Sequence, residues 1–307
     1  MVAALLAALA IFPQFDLDVT YSKAGGEDLK LDIYRPAPGS NGAKSAAVLV
    51  IHGGAWMGGK RQDMAAMCQF LSGRGFLAAT VEYRLAPKFK WPAMLDDCQT
   101  AVRYLRANAD KLGIDANRIG AAGASAGGHL SLLLGFRDTR DPAPKEFPAF
   151  GSRVSAVVNL FGPTDLSNTT DFPPSLDMLF GAVLGKPRSQ AAEEVRLASP
   201  VSFIDSKSAP VFTIQGKADT LVPYHQALLL DERLKATGVP HVLTLIEGMP
   251  HGLPLERKEV ADAVEAAGKW LQEKLAAKTQ TWAFAQLFHS GFERAQLPTG
   301  MPLTCVF

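Results

Sequence analysis

Short apolar runs alternate along this chain with stretches whose apolar positions recur every three to four residues. Residues 29–34 (LKLDIY) alternate apolar and polar, the pattern of a strand with one wet face. Residues 46–51 (AAVLVI) are apolar without interruption, which predicts a strand buried on both sides. Met64, Met67 and Leu71 fall at helical spacing within 61–74, and a strand-like run follows at 76–82 (FLAATVE). A helix over 93–109 is predicted by Met94, Leu95, Cys98, Ala101, Val102 and Leu105. The rhythm continues with a strand at 118–123, a helix at 126–136, and strands at 154–160 (VSAVVNL) and 210–215 (PVFTIQ). A helix at 224–237, a strand at 241–246 (HVLTLI) and a helix at 256–276 complete it. This order predicts an α/β fold, a mostly parallel sheet with helices on both faces.

Three stretches break the rhythm. Residues 166–208 separate two predicted strands and are too long for a simple connection. They hold Phe172, Pro173 and Pro174, then helix-compatible 176–184 and 191–197, and read as a small lid. Residues 279–307 form an aromatic-rich tail without a period, so the expected division is a domain over 1–278 and a tail of unknown role. Residues 1–12 are apolar but lack the positive n-region of a signal peptide. A docked helix is expected there over a truncated signal, which favours a cytoplasmic location over a secreted one.

Composition narrows the partners. Hydrophobic residues make up 48% of the 307, enough for a large core. Lys and Arg total 31 against 30 Asp and Glu, which gives no electrostatic case for nucleic acid or a membrane surface. No apolar run approaches the length of a membrane span. Cys68, Cys98 and Cys305 are too few and too scattered for a disulfide framework or a zinc site. A homodimer is compatible with all of this.

The chemistry concentrates at four points. Gly123-Ala124-Ser125-Ala126-Gly127 is a GxSxG sequence between a predicted strand and a predicted helix, the context of a nucleophile elbow. There a strained turn holds a serine hydroxyl clear of the sheet at a helix N-terminus; the plain alternative is a glycine-rich helix start capped by Ser125. His52-Gly53-Gly54-Ala55-Trp56 directly follows the buried strand 46–51. Consecutive glycines let backbone N–H groups approach a developing oxyanion, so Gly53, Gly54 and Ala126 are the candidate donors.

A serine also needs a base. Of six histidines, His251 lies in a loop after the last predicted strand, where an α/β site assembles. His52, His129, His225, His241 and His289 fall in the glycine loop, in helices, in a strand and in the tail. The orienting acid is expected to be Asp219, in the loop after strand 210–215, with Asp165 after the preceding strand as the alternative. Asp219 is one strand nearer to His251 in order.

Together these residues resemble the α/β-hydrolase superfamily, and within it the carboxylesterases of the hormone-sensitive-lipase group and its near relatives. The likeness rests on HGGAW at 52–56, YRLAP at 83–87, GASAGG at 123–128 and the Asp219 and His251 loops, and spans about 20–277. It implies an eight-stranded, mostly parallel sheet, a Ser125–Asp219–His251 triad, an oxyanion hole from Gly53, Gly54 and Ala126, and no metal or organic cofactor. Lys88 stands where the lipase group usually has an acid, and LDIYRPAP at 31–38 looks more like the feruloyl and acetylxylan esterases.

The expected activity is hydrolysis of short-chain acyl or aryl esters through an acyl-enzyme. Trp56, Phe172, Met178 and Phe180 are the candidate substrate contacts, with Leu179 as a further lid residue. An arylformamidase or amidase would share the triad. A prolyl-oligopeptidase-type enzyme needs a large extra domain, and a non-catalytic relative would have lost a triad member.

Overall fold

The computed structural model describes residues 14–37, 44–167, 172 and 176–277. Eight strands form one sheet: β1 (Gln14–Ala24), β2 (Glu27–Arg35), β3 (Ser45–Ile51), β4 (Leu77–Val81), β5 (Ile114–Ala124), β6 (Val157–Leu160), β7 (Val211–Gly216) and β8 (His241–Ile246). Their spatial order is β1-β2-β4-β3-β5-β6-β7-β8. The β1–β2 and β2–β4 pairs are antiparallel, and every pair from β4 to β8 is parallel.

The uninterrupted run in β3 has its reason here. Ala47, Leu49 and Ile51 join one apolar cluster, while Ala46, Val48 and Val50 join another. Period-two alternation thus serves two cores, and both faces are dry. Helices α2 (Ala93–Ala107) and α3 (Ala126–Phe136) contribute to the first cluster, and α1 (Ala65–Ser72) to the second. In the segment 166–208, α4 (Asp177–Leu184) and α5 (Ala192–Ala198) also feed the first cluster. Helix α6 (His225–Ala236) adds Leu230 and Leu234 there. Helix α7 (Lys258–Lys274) covers the other face through Val260, Ala263, Val264, Ala267 and Leu271, an i, i+3, i+4, i+7 stripe.

The elements differ from the expected ones in a few places. The sequence pattern gave no signal for β1. It is an edge strand with most positions open to solvent, and two register shifts break its alternation. Strand β5 begins earlier than expected, at Ile114, through the polar stretch Asp115–Arg118. The helix expected from 61 opens as a tight 3₁₀ turn over Arg61–Met64. There Arg61 is drawn to the carboxylates of Asp18, Asp32 and Glu82. Among the described residues no helix is long and apolar enough to cross a membrane. The readings for residues 1–12 and 279–307, and for Pro173 and Pro174, fall outside the described residues.

Candidate active site

Strand β5 hands over to helix α3 through a single residue, Ser125, at φ 54° and ψ −119°. A non-glycine residue rarely adopts this backbone, at a cost of about 1–3 kcal/mol. Two hydrogen bonds hold it: the Ser125 N–H donates to the Leu160 carbonyl (2.9 Å), and the Ser125 carbonyl accepts from the His129 N–H (3.0 Å). The turn is also compressed. A Cβ on Gly127 would lie 2.0 Å from the Ile51 carbonyl oxygen, so only glycine lets α3 pass this close to the end of β3.

Asp219 follows β7 and His251 follows β8, at the same sheet edge as Ser125. His251 Nε2 lies 2.9 Å from Ser125 Oγ, and its Nδ1 lies 2.7 Å from Asp219 Oδ2. An ionised carboxylate only accepts, so Nδ1 carries the proton and Nε2 offers its lone pair to the serine hydroxyl. Asp219 has a fully buried side chain. It also accepts from Gln215 Nε2 (3.1 Å) and from the Leu221 and Val222 N–H groups (both 2.9 Å). These bonds fix the carboxylate before it meets the imidazole.

The other candidates find different partners. Asp165 accepts from the Ser167 N–H at 2.8 Å and caps its own turn. His241 bridges Asp231 (3.0 Å) and Thr213 (2.9 Å). His225 meets the Tyr224 ring at 4.3 Å, tilted by 31°. His52 donates from Nδ1 to the Gly53 carbonyl (2.7 Å) and lies flat on the Tyr83 ring, 4.2 Å between centroids. Burial lowers the pKa of both His52 and His241.

Sequence reasoning did not single out Phe161. It follows β6 at φ 44°, and its ring meets the His251 ring at 4.8 Å and 68°. No local pattern marks such a residue; its role depends on β6 lying beside both the serine strand and β7.

The glycine loop after β3 runs past the serine. A Cβ on Gly53 would sit 3.3 Å from Ser125 Cβ. Gly54, Ala55 and Trp56 all have positive φ, at 110°, 53° and 58°. Gly54 is required there, since a Cβ would stand 2.3 Å from the Gly58 carbonyl oxygen. The YRLAP element explains itself as the loop's brace. Tyr83 donates its hydroxyl to the His52 carbonyl (3.0 Å), and the Ala86 N–H donates to the Trp56 carbonyl (2.9 Å). Arg84 forks onto buried Asp97. The Gly53 and Gly54 N–H groups have no backbone acceptor among the described residues. Ala126 opens α3, where N–H groups have no intrahelical partner.

A cavity of about 140 Å³ opens beside Ser125 and His251. Trp56, Phe172, Leu176, Leu179 and Phe180 form one apolar wall, and Ala55, Ala126, Pro163, Leu221 and Val222 also line the cavity. Phe172 and Phe180 are buried and meet edge to face at 5.4 Å. Met178 corrects an expectation: it is 86% exposed and takes no part in the cavity. On α4, at 100° per residue, Leu179, Phe180 and Val183 share the inner face with the capping Leu176, and Met178 falls on the opposite one.

The BD-FAE family model matches residues 31–234. Esterase LipC of Mycobacterium tuberculosis is 35% identical over 218 residues, 69% of this chain and 54% of LipC. The chain spans about half the length of the curated Mycobacterium tuberculosis relatives it matches. A truncated carbohydrate esterase from gut microbiota superposes with a TM-score of 0.77 at 26% identity, covering 86% of this chain and 97% of that one. Butyrate-bound esterase Est2 of Thermogutta terrifontis gives 0.73 at 26% identity, covering 86% and 95%. With its sheet order and its matched span, the chain belongs to the BD-FAE family and has the α/β-hydrolase fold.

Proposed function

We propose that this chain is a serine carboxylesterase that hydrolyses small esters with short acyl groups. The observation that carries the reading is the hydrogen-bonded row from Asp219 through His251 to Ser125. Ser125 Oγ attacks the ester carbonyl as His251 Nε2 takes its proton. Asp219 holds the imidazole in the required tautomer and stabilises the imidazolium. The carbonyl oxygen, now negative, is received by the amides of Gly53, Gly54 and Ala126, each worth about 3 kcal/mol in such a hole. His251 returns the proton to the departing alcohol. Water then attacks the acyl-serine with the same base, and carboxylic acid and free serine result.

The same reading takes 166–208 as a lid over the acyl group, supported by Phe172, Leu176, Leu179 and Phe180 in the cavity wall. A dry cavity of about 150 Å³ holds a benzene-sized molecule, so 140 Å³ suits an acyl chain of a few carbons. For the alcohol half, an acylated sugar is the second reading, favoured by the likeness to the gut carbohydrate esterase.

The test is turnover of p-nitrophenyl esters of increasing acyl length, beside acetylated xylan, a feruloyl ester and an N-formyl aryl amide. Activity highest on the short acyl esters and absent in Ser125→Ala is expected. Preference for the amide, or activity that survives Ser125→Ala, overturns the proposal.

A further inference from the structure

His129 is a buried histidine that the hydrolytic steps leave unused. It lies one turn into α3 with no exposed surface. Each of its ring nitrogens faces one partner. Nε2 is 2.6 Å from the Ala198 carbonyl oxygen, which can only accept, so Nε2 bears the proton. Nδ1 is 3.3 Å from Trp56 Nε1, and an indole N–H can only donate, so Nδ1 offers its lone pair. Both demands select the same neutral tautomer. Burial lowers the pKa to about 4, in keeping with that neutral form. The Trp56 ring also stands edge-on to the imidazole at 5.0 Å and 82°.

Trp56 is the residue on which the glycine loop turns. It and Ala55 hold positive φ without being glycine, a backbone that persists only where the surroundings enforce it. The Ala86 N–H fixes the Trp56 carbonyl, and His129 fixes its side chain. His129 therefore touches the loop bearing the Gly53 and Gly54 amides, sits on the helix led by Ser125, and bonds α5 through Ala198.

We propose that His129 is a positioning residue: by accepting the Trp56 indole N–H and donating to Ala198, it holds the oxyanion loop in register with the nucleophile helix. This rests on the carboxylesterase reading. A loop that drifts by about an ångström loses transition-state contacts more than substrate binding, so the effect falls on kcat. A glutamine at 129 carries both an acceptor and a donor; a leucine carries neither.

The test compares His129→Leu, His129→Gln, Trp56→Phe and the Trp56→Phe/His129→Leu double variant on a short p-nitrophenyl ester. For His129→Leu, a kcat loss of roughly tenfold to a hundredfold with KM within about twofold is expected. His129→Gln recovers most of that loss. The double variant loses no more than the worse single one, because both break one link. An independent readout is the Trp56 indole N–H resonance, assigned by its absence in Trp56→Phe. It shifts and exchanges faster in His129→Leu and is retained in His129→Gln. If His129→Leu does not fold, the single variants decide: a kcat loss in Trp56→Phe with kcat and the Trp56 resonance near wild type in His129→Gln is expected, and an unchanged kcat in Trp56→Phe overturns the proposal. Multiplicative losses in the double variant, a glutamine no better than leucine, or an unmoved resonance overturn the proposal. Should the wild-type protein hydrolyse no ester, the carboxylesterase reading falls instead, and the resonance alone decides whether His129 holds Trp56.

Discussion

In the proposed esterase Ser125 combines a reactive hydroxyl with a backbone that favours glycine, and the two demands can be separated. Ser125→Ala removes the hydroxyl and keeps the strain, since alanine still has a Cβ at φ 54°. Ser125→Gly removes both. Relief of about 1–3 kcal/mol of strain exceeds the roughly 0.5–1 kcal/mol of added unfolded-state freedom. Both variants are expected to be inactive, and the glycine variant more stable than the alanine one by about 1 kcal/mol in urea denaturation. A glycine variant less stable than the alanine one by the full added freedom of about 0.5–1 kcal/mol would mean that the elbow stores no strain. At this scale the sequence was informative wherever chemistry and backbone coincide in one short motif. GxSxG and HGG mark turns that only small residues can make. Phe161 and the Trp56–His129 pair were not legible, because each joins residues far apart in the chain through geometry that only the assembled sheet supplies.

Helix α4 shows the limit of reading a short element from its composition. Met178, Leu179 and Phe180 are adjacent, apolar and equally plausible as pocket residues. The helical period then assigns Leu179 and Phe180 to the cavity wall and leaves Met178 in solvent. Phe180→Ala is expected to enlarge the cavity beside Ser125 and, on the proposed function, move the preferred p-nitrophenyl ester toward longer chains, with some loss of stability because Phe180 is buried. Met178→Lys is expected to leave KM on short esters unchanged and stability within about 0.5 kcal/mol. A changed acyl preference in Met178→Lys would place that side chain over the site after all. The same contrast explains which elements the pattern revealed. Long runs buried on two faces, such as residues 46–51 of β3, are visible because every position in the run is apolar. Strand β1 was invisible because an edge with bulges has neither a continuous run nor a steady alternation.

For the whole molecule, the sheet order could be anticipated only as a class, since alternation of strands and helices predicts parallel pairing but not which strands are neighbours. What the folded molecule adds is burial of histidines, and that sets its response to acid. His129 is fully buried with a pKa of about 4, against 6.5 for a free histidine, because burial penalises the charged ring. Between those values the unfolded chain binds a proton that the native protein does not. Stability therefore rises with pH across this window and falls as pH is lowered through it. The loss from His129 alone is about 3 kcal/mol by pH 4. His52 and His241, also lowered by burial, act in the same direction. Asp138 and Asp231 have lowered pKa values, so their stabilisation is intact above the ordinary carboxylate pKa of 3.8 and lost only below it. Decline that begins near pH 6.5 thus belongs to the histidines, and further decline below pH 4 to the carboxylates. Urea denaturation from pH 7.5 to 4.5 is expected to show falling stability in the wild-type protein and a shallower fall in His129→Gln, which has no proton to gain. Parallel slopes for the two proteins would show that His129 already carries its proton in the native state.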